Sequence, residues 1–131
     1  MAYYVGILDG SAKVWGVRFP DVPGCVGAGT EPEAAIANAA LALREVMSHK
    51  RSGGFAVPAP TSVADILQSG EISDGESAVL VPLLLDAGRS VRANLSLDAG
   101  LLEAIDQAAA DRGITRSAFV ANAAREKLMQ P

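Results

Sequence analysis

The sequence predicts an α+β protein: a small N-terminal β-sheet packed with one long helix, then a strand-helix-helix unit that needs a second chain to complete it. Three observations carry this reading. Short β-branched and aromatic runs cluster in the first twenty residues and return near residue 80; an Ala-rich stretch after residue 30 has helical periodicity; and residues 90–97 alternate apolar with polar beyond the last such run. At 131 residues the chain can hold one ordinary domain, or a small domain with an appendage. Half of it is hydrophobic but only 5% is aromatic, so its core must come from Leu, Val, Ile and close Ala packing.

Residues 3–8 (YYVGIL) and 14–19 (VWGVRF) read as a hairpin joined by Asp9-Gly10-Ser11-Ala12. The period of two puts Trp15, Val17 and Phe19 on its core face and Val14 and Arg18 on the other. In PDVPGC, residues 20–25, two prolines and Gly24 make a tight bend before a short strand over 25–28. Thr30 and Glu33 form a capping-box pattern with Pro32 in the first turn, which starts a helix with Ile36, Ala40, Leu43 and Met47 as its buried stripe. Arg44 and Glu45 face water, and His49, Lys50 and Arg51 followed by Gly53-Gly54 end the helix. FAVPAPT, 55–61, is a loop, and Ser62 caps a short helical turn to Gln68. Residues 78–85 (AVLVPLLL) are a further strand, which Pro82 confines to an edge or terminal position.

Beyond a hinge at 86–89, residues 90–97 form an amphipathic strand with Val91, Ala93, Leu95 and Leu97 on one side and Arg92, Asn94 and Ser96 on the other. Asp98 caps a helix to about Arg112, with Leu101 or Leu102, Ile105 and Ala109 inward and Gly113 as its terminator. Thr115 caps a second helix with Phe119, Val120, Ala123, Ala124 and Leu128 as its apolar positions. A lone strand with two helices leaves its ladder groups unsatisfied and is too short to fold alone, so two copies of 90–97 must pair antiparallel. The opposite face then displays two sets of Arg92, Asn94 and Ser96. A two-stranded ribbon fits the major groove, where Arg reads guanine and Asn reads adenine, while Thr115, Arg116 and Ser117 at a helix start would clamp backbone phosphate. The bland alternative is a solvated strand edge, and Arg89 is either a phosphate contact or a hinge charge.

The formal net charge is -4, which by itself argues against nucleic acid, but it is unevenly spread. Residues 1–88 carry five basic groups against ten acids, net -5, whereas 89–131 carry six basic groups against five acids, net +1. The acidic part gives solubility and also suits a basic partner. One cysteine, Cys25, excludes an internal disulfide and a multi-thiolate metal site; it reads as a small packed side chain rather than a reactive one. His49, the single histidine, reads as a helix-end residue. Asp9, Asp21, Glu45 and Asp65 are nuclease candidates by residue type only, and no catalytic residue, metal or cofactor is assigned. With no apolar run of about 20 residues and no signal-peptide pattern, the expectation is a cytoplasmic protein with no membrane partner.

VRANLSLDAGLLEAIDQAAADRGITRSAFV resembles a ribbon-helix-helix DNA-binding domain in its strand polarity, its LLEAID stretch and GITRSAF between the helices. The hairpin, FPDVPGC, GTEPEAAIANAALAL and the later VPAP resemble the HicB antitoxin family of HicA-HicB toxin-antitoxin pairs. The resemblance implies a degraded ribonuclease-H-like domain over 1–86 that neutralises an mRNA-cleaving HicA-type toxin. It also implies a ribbon-helix-helix domain over 89–131 that binds operator DNA and represses the pair's own operon. Since one ribbon offers few base contacts, two dimers on neighbouring half-sites, a tetramer, are expected. The competing expectations are a stand-alone ribbon-helix-helix regulator with an N-terminal sensing domain, and a metal-dependent ribonuclease.

Overall fold

The computed structural model describes residues 1–85 and 89–129, which fall into two compact units, residues 1–85 with Met129 and residues 89–128. In the first, β1 (Ala2–Ser11), β2 (Val14–Arg18), β3 (Val26–Gly29) and β4 (Ser77–Leu83) form one antiparallel sheet in the order β3-β2-β1-β4. Two helices, α1 (Pro32–Ser52) and α2 (Val63–Gln68), lie between β3 and β4 in the chain. The second unit holds α3 (Ala99–Asp111) and α4 (Arg116–Met129). The hinge expected at 86–89 lies, for residues 86–88, outside the described residues.

The hairpin turn is later than the sequence predicts. β1 continues through Asp9 and Gly10 to Ser11, which pairs with Val14, so Ala12 and Lys13 alone make the turn. Ala12 takes a φ of 54°, and the Trp15 indole N–H donates to its carbonyl at 3.1 Å. The extra cross-strand pairs outweigh the cost of one left-handed alanine. As expected, Val17 and Phe19 are buried while Val14 is exposed, and Gly24 supplies the bend before β3 with a φ of 87°. β4 stands at the sheet edge, the place its Pro82 can tolerate.

The start of α1 also departs from expectation. Thr30 does not cap it; Glu31 is the N-cap, with an extended backbone and no side-chain cap bond. Pro32 is the reason, because a proline at the first helical position forces its predecessor out of the helical region and thereby sets the boundary. Along the helix Ala35, Ala39, Ala40, Leu43 and Met47 are buried and Ile36 only partly so. The closest contact is made by alanines because α1 lies directly on the backbone of β3. A Cβ built on Gly27 would stand 2.4 Å from the Ala39 nitrogen, and one on Gly29 2.7 Å from the Ala35 nitrogen. At the far end the Phe55 N–H bonds the Lys50 carbonyl at 2.8 Å and the Gly54 N–H the Arg51 carbonyl at 3.2 Å, a Schellman motif that needs the left-handed Gly54.

Tyr4, Val17, Phe19, Val81, Leu83 and the buried side of α1 form the core on one sheet face. Val5 and Ile7 alternate with Tyr4 and are also buried, so the second face is covered at its middle, while Tyr3 and Leu80 on the same face stay about half exposed. Arg18, which alternates with Val17, donates to both carboxylate oxygens of Glu76, at 2.6 and 3.0 Å, and to the Glu71 carbonyl at 3.2 Å. These bonds tie the segment before β4 to β2. That guanidinium and the Ser73 N–H hold the Glu76 carboxyl down to about 2, from an ordinary 4.5. A depressed carboxyl stabilises the fold above its unfolded value, and the contribution disappears as pH falls through its folded value. Glu76→Gln is therefore expected to melt lower than the parent at pH 6, and the two melting curves should converge as the pH is taken from 4.5 towards 2.

In the second unit Asp98 caps α3 by accepting from the Leu101 N–H, at 3.1 Å. Ile105 and Ala109 are buried; of the two leucines left open, Leu102 is half-buried and Leu101 exposed. Gly113, at a φ of 66°, closes a second Schellman motif, with the Ile114 N–H on the Ala109 carbonyl and the Gly113 N–H on the Ala110 carbonyl. Thr115 accepts from the Ala118 N–H at 3.1 Å and caps α4. The expected inward stripe of α4 is less covered than predicted: Phe119 and Val120 are half-buried, while Ala123, Ala124 and Leu128 are exposed.

Candidate functional site

The six residues expected to meet DNA lie in two places. Arg92, Asn94 and Ser96 sit in a segment, 90–98, that has neither helix nor strand in the single chain, so the predicted strand is absent here. The physical reason is the one that made it conspicuous: a strand exists only with a ladder partner, and the four-stranded sheet of the first unit does not admit this segment. Both of its sides are exposed, Val91 and Leu95 as much as Arg92 and Asn94. Thr115, Arg116 and Ser117 are exposed at the start of α4. No hydrogen bond or ion pair among the described residues joins the two groups.

Arg116 already has a partner. Its Nε and Nη2 donate to the two Asp106 oxygens at 2.7 and 2.8 Å, a side-on bidentate pair between α3 and α4. Asp106 is held below the usual carboxylate range by that guanidinium, and Arg116 is raised in turn. Nearby, the Arg112 guanidinium lies 5.4 Å from the centre of the Phe119 ring, a cation–π contact between the same two helices. Sequence reasoning found Arg116 but missed Asp106. Ten positions across a helix end give no periodic signal.

The candidate nuclease carboxylates are not assembled. Asp21 accepts from the Thr61 N–H and hydroxyl, at 2.8 and 2.6 Å, and so fastens the loop ahead of α2. The Tyr4 hydroxyl donates to the Pro58 carbonyl and secures the same loop from β1. Glu45 and Asp65 are exposed on different helices and Asp9 is exposed on β1. Among the described residues no three His, Cys, Asp or Glu side chains are placed to hold a metal ion. Cys25 is buried in the core, where burial pushes its thiol up, away from the reactive thiolate. His49 is exposed in the last turn of α1. No helix among the described residues is long and apolar enough to cross a membrane.

A second surface escaped the sequence. Tyr3, Ile36, Val63, Ala78, Val79 and Leu80 line an apolar groove of about 530 Å³ that wraps the free edge of β4, with Tyr3 and Leu80 each about half exposed. Their spread over four elements hid it.

The model of one protein family, described as the HicB_like antitoxin of bacterial toxin-antitoxin system, matches residues 3–124. The chain belongs to the HicB-like antitoxin family. Among solved structures, this HicB-like chain is similar to the Burkholderia pseudomallei antitoxin HicB at 29% identity, with a TM-score of 0.59, over 98% of this chain and 99% of that one. It is similar to the antitoxin HicB3 at 26% identity and a TM-score of 0.53, again over 98% and 99%. A chain of the HicA3 and HicB3 toxin-antitoxin complex shares its fold at 19% identity and a TM-score of 0.52, over 64% of this chain and 98% of that one. The curated proteins hold no match to it. The family is one of antitoxins and not of enzymes, which removes the ribonuclease expectation.

Proposed function

We propose that this HicB-like chain is a cytoplasmic antitoxin with two separable jobs. Residues 1–86 bind an mRNA-cleaving HicA-type toxin and cover its RNA site. Residues 89–131 pair with a second chain as a ribbon-helix-helix domain and repress the pair's own operon, two dimers acting together as a tetramer. Toxin binding is supported by the HicB3 relative, whose structure is known in complex with HicA3. It is supported too by charge, since an RNA-cleaving protein is basic around its site and residues 1–88 carry a net -5.

The observation that carries the DNA reading is the state of residues 90–97. Val91 and Leu95 are 76% and 67% exposed in a segment whose polar positions alternate with them. Covering one such side chain stabilises by about 1.5–3 kcal/mol, and antiparallel pairing of two copies would cover both sets and satisfy both ladders at once. Arg92, Asn94 and Ser96 would then face out as a ribbon, with Thr115, Arg116 and Ser117 beside the phosphates. Co-expression with the product of the neighbouring reading frame, followed by co-purification and a gel shift on the upstream DNA, tests both jobs. Recovery of a stable monomer that shifts no DNA would sink the second.

The Asp106–Arg116 pair makes a quantitative expectation within this reading. Asp106 neutralises the cation assigned to phosphate, so Asp106→Asn should raise affinity for any duplex several-fold at 0.1 M salt and steepen the salt dependence by about 0.9 per freed contact. Fluorescence anisotropy on a scrambled duplex at several salt concentrations measures it, and Asp106→Asn combined with Arg116→Ala should lose the gain.

A further inference from the structure

We propose that the groove along β4 is where the toxin docks, and that it receives an extended basic segment of that protein laid against the β4 edge with an apolar side chain in the groove. The inference rests on the toxin-binding reading above and names its surface. The edge is open. β4 ends the sheet on one side, whereas at the other edge the Ala28 N–H of β3 is already taken by the Asn38 side chain of α1, at 2.9 Å. Pro82 has no N–H to give and pairs with Tyr3, so the period of two turns the N–H and C=O groups of Ala78 and Leu80 outward from β1. A partner strand would find those groups, and beside them the half-exposed Tyr3 and Leu80 with Val63 and Ile36 at the groove walls.

Charge selects the occupant. From Thr61 to Leu85 there are four acids, Asp65, Glu71, Asp74 and Glu76, and no Lys or Arg; β1 adds Asp9, and the first half of α1 adds only Glu33. Glu76 is matched by Arg18, which leaves Asp9, Glu33 and Asp65 exposed on the groove-bearing elements β1, α1 and α2, and Glu71 and Asp74 exposed in the loop that leads into β4. The bases of α1, Arg44, Lys50 and Arg51, all lie in its second half. A second copy of this chain would bring the same acidic elements together, so an apolar groove on elements with this charge fits a basic protein and disfavours self-pairing.

Leu80→Lys tests the placement in the full-length chain against the purified product of the neighbouring reading frame, made as an inactive variant. Leu80 is half exposed, so the melting temperature should hold, and affinity should fall by at least about 30-fold, the loss expected of a central anchor. Tyr3→Ser should weaken binding in the same direction, and Phe55→Ser, at an exposed apolar site at the end of α1, should not. Hydrogen exchange on the wild-type complex should show the Ala78 and Leu80 amides newly protected. Wild-type affinity in Leu80→Lys without such protection overturns the docking site alone, and a drop in the mass of the free antitoxin caused by Leu80→Lys overturns it by marking a self-interface. A wild-type chain that fails to bind the neighbouring protein overturns the toxin reading itself.

Discussion

Gly27→Ala is expected to lower the melting temperature of the first unit by roughly 10 °C, because overpacking costs about 1–3 kcal/mol and each kcal/mol shifts a domain of this size by several degrees. The methyl group would lie 2.4 Å from the Ala39 nitrogen and 2.5 Å from its Cα, and neither is a side-chain end that can swing aside. The whole helix would have to lift from β3, opening gaps at Leu43 and Met47, which are fully buried. Gly16→Ala, on the neighbouring strand, is the control: its added methyl meets nothing closer than the Gly27 carbonyl at 3.6 Å, so its melting temperature should stay within about 2 °C of the parent. Thermal melts followed by far-UV circular dichroism decide the matter. Equal melting of the two variants would show that α1 does not depend on this close approach.

Arg92→Ala combined with Asn94→Ala should reduce operator affinity about a thousandfold, to the level of non-specific binding, while toxin neutralisation is unchanged. The proposed dimer would present each side chain twice, and about 1 kcal/mol or more for each of four base contacts would reach that factor. Both residues are exposed in the single chain, so their removal costs the fold nothing. A titration on upstream DNA, run beside a growth-rescue assay with the toxin, reads the two jobs separately. Loss of both together would refute a division of labour between residues 1–86 and 89–131.

The legible parts of the fold were those set by local chemistry. The edge position of β4 followed from Pro82, the core face of β2 from Val17 and Phe19, and the helix ends from Ser62, Asp98, Gly54 and Gly113, because each of these acts within a few residues of itself. Two local readings failed where rival local preferences met. Pro32 overrode the Thr30–Glu33 capping pattern, and the pairing of Ser11 with Val14 overrode the turn preference of Asp9-Gly10. Of the site, Thr115 as a cap was readable, whereas the Asp106–Arg116 pair and the Tyr3–Leu80 groove were not, since they depend on which elements become neighbours.

Read alone, the amino-acid order settles the α+β class and the separation of an acidic stretch from a mildly basic one, because alternation, helical spacing, caps and charge are properties of short stretches of chain; the family follows from the match of the sequence over residues 3–124. Tertiary structure alone decides that α1 lies on bare glycine backbone, that Arg116 is held by a carboxylate, and that β4 keeps an open apolar edge. Those facts arise when residues tens of positions apart meet at van der Waals or hydrogen-bond range, and no periodicity within one segment encodes its distant neighbour.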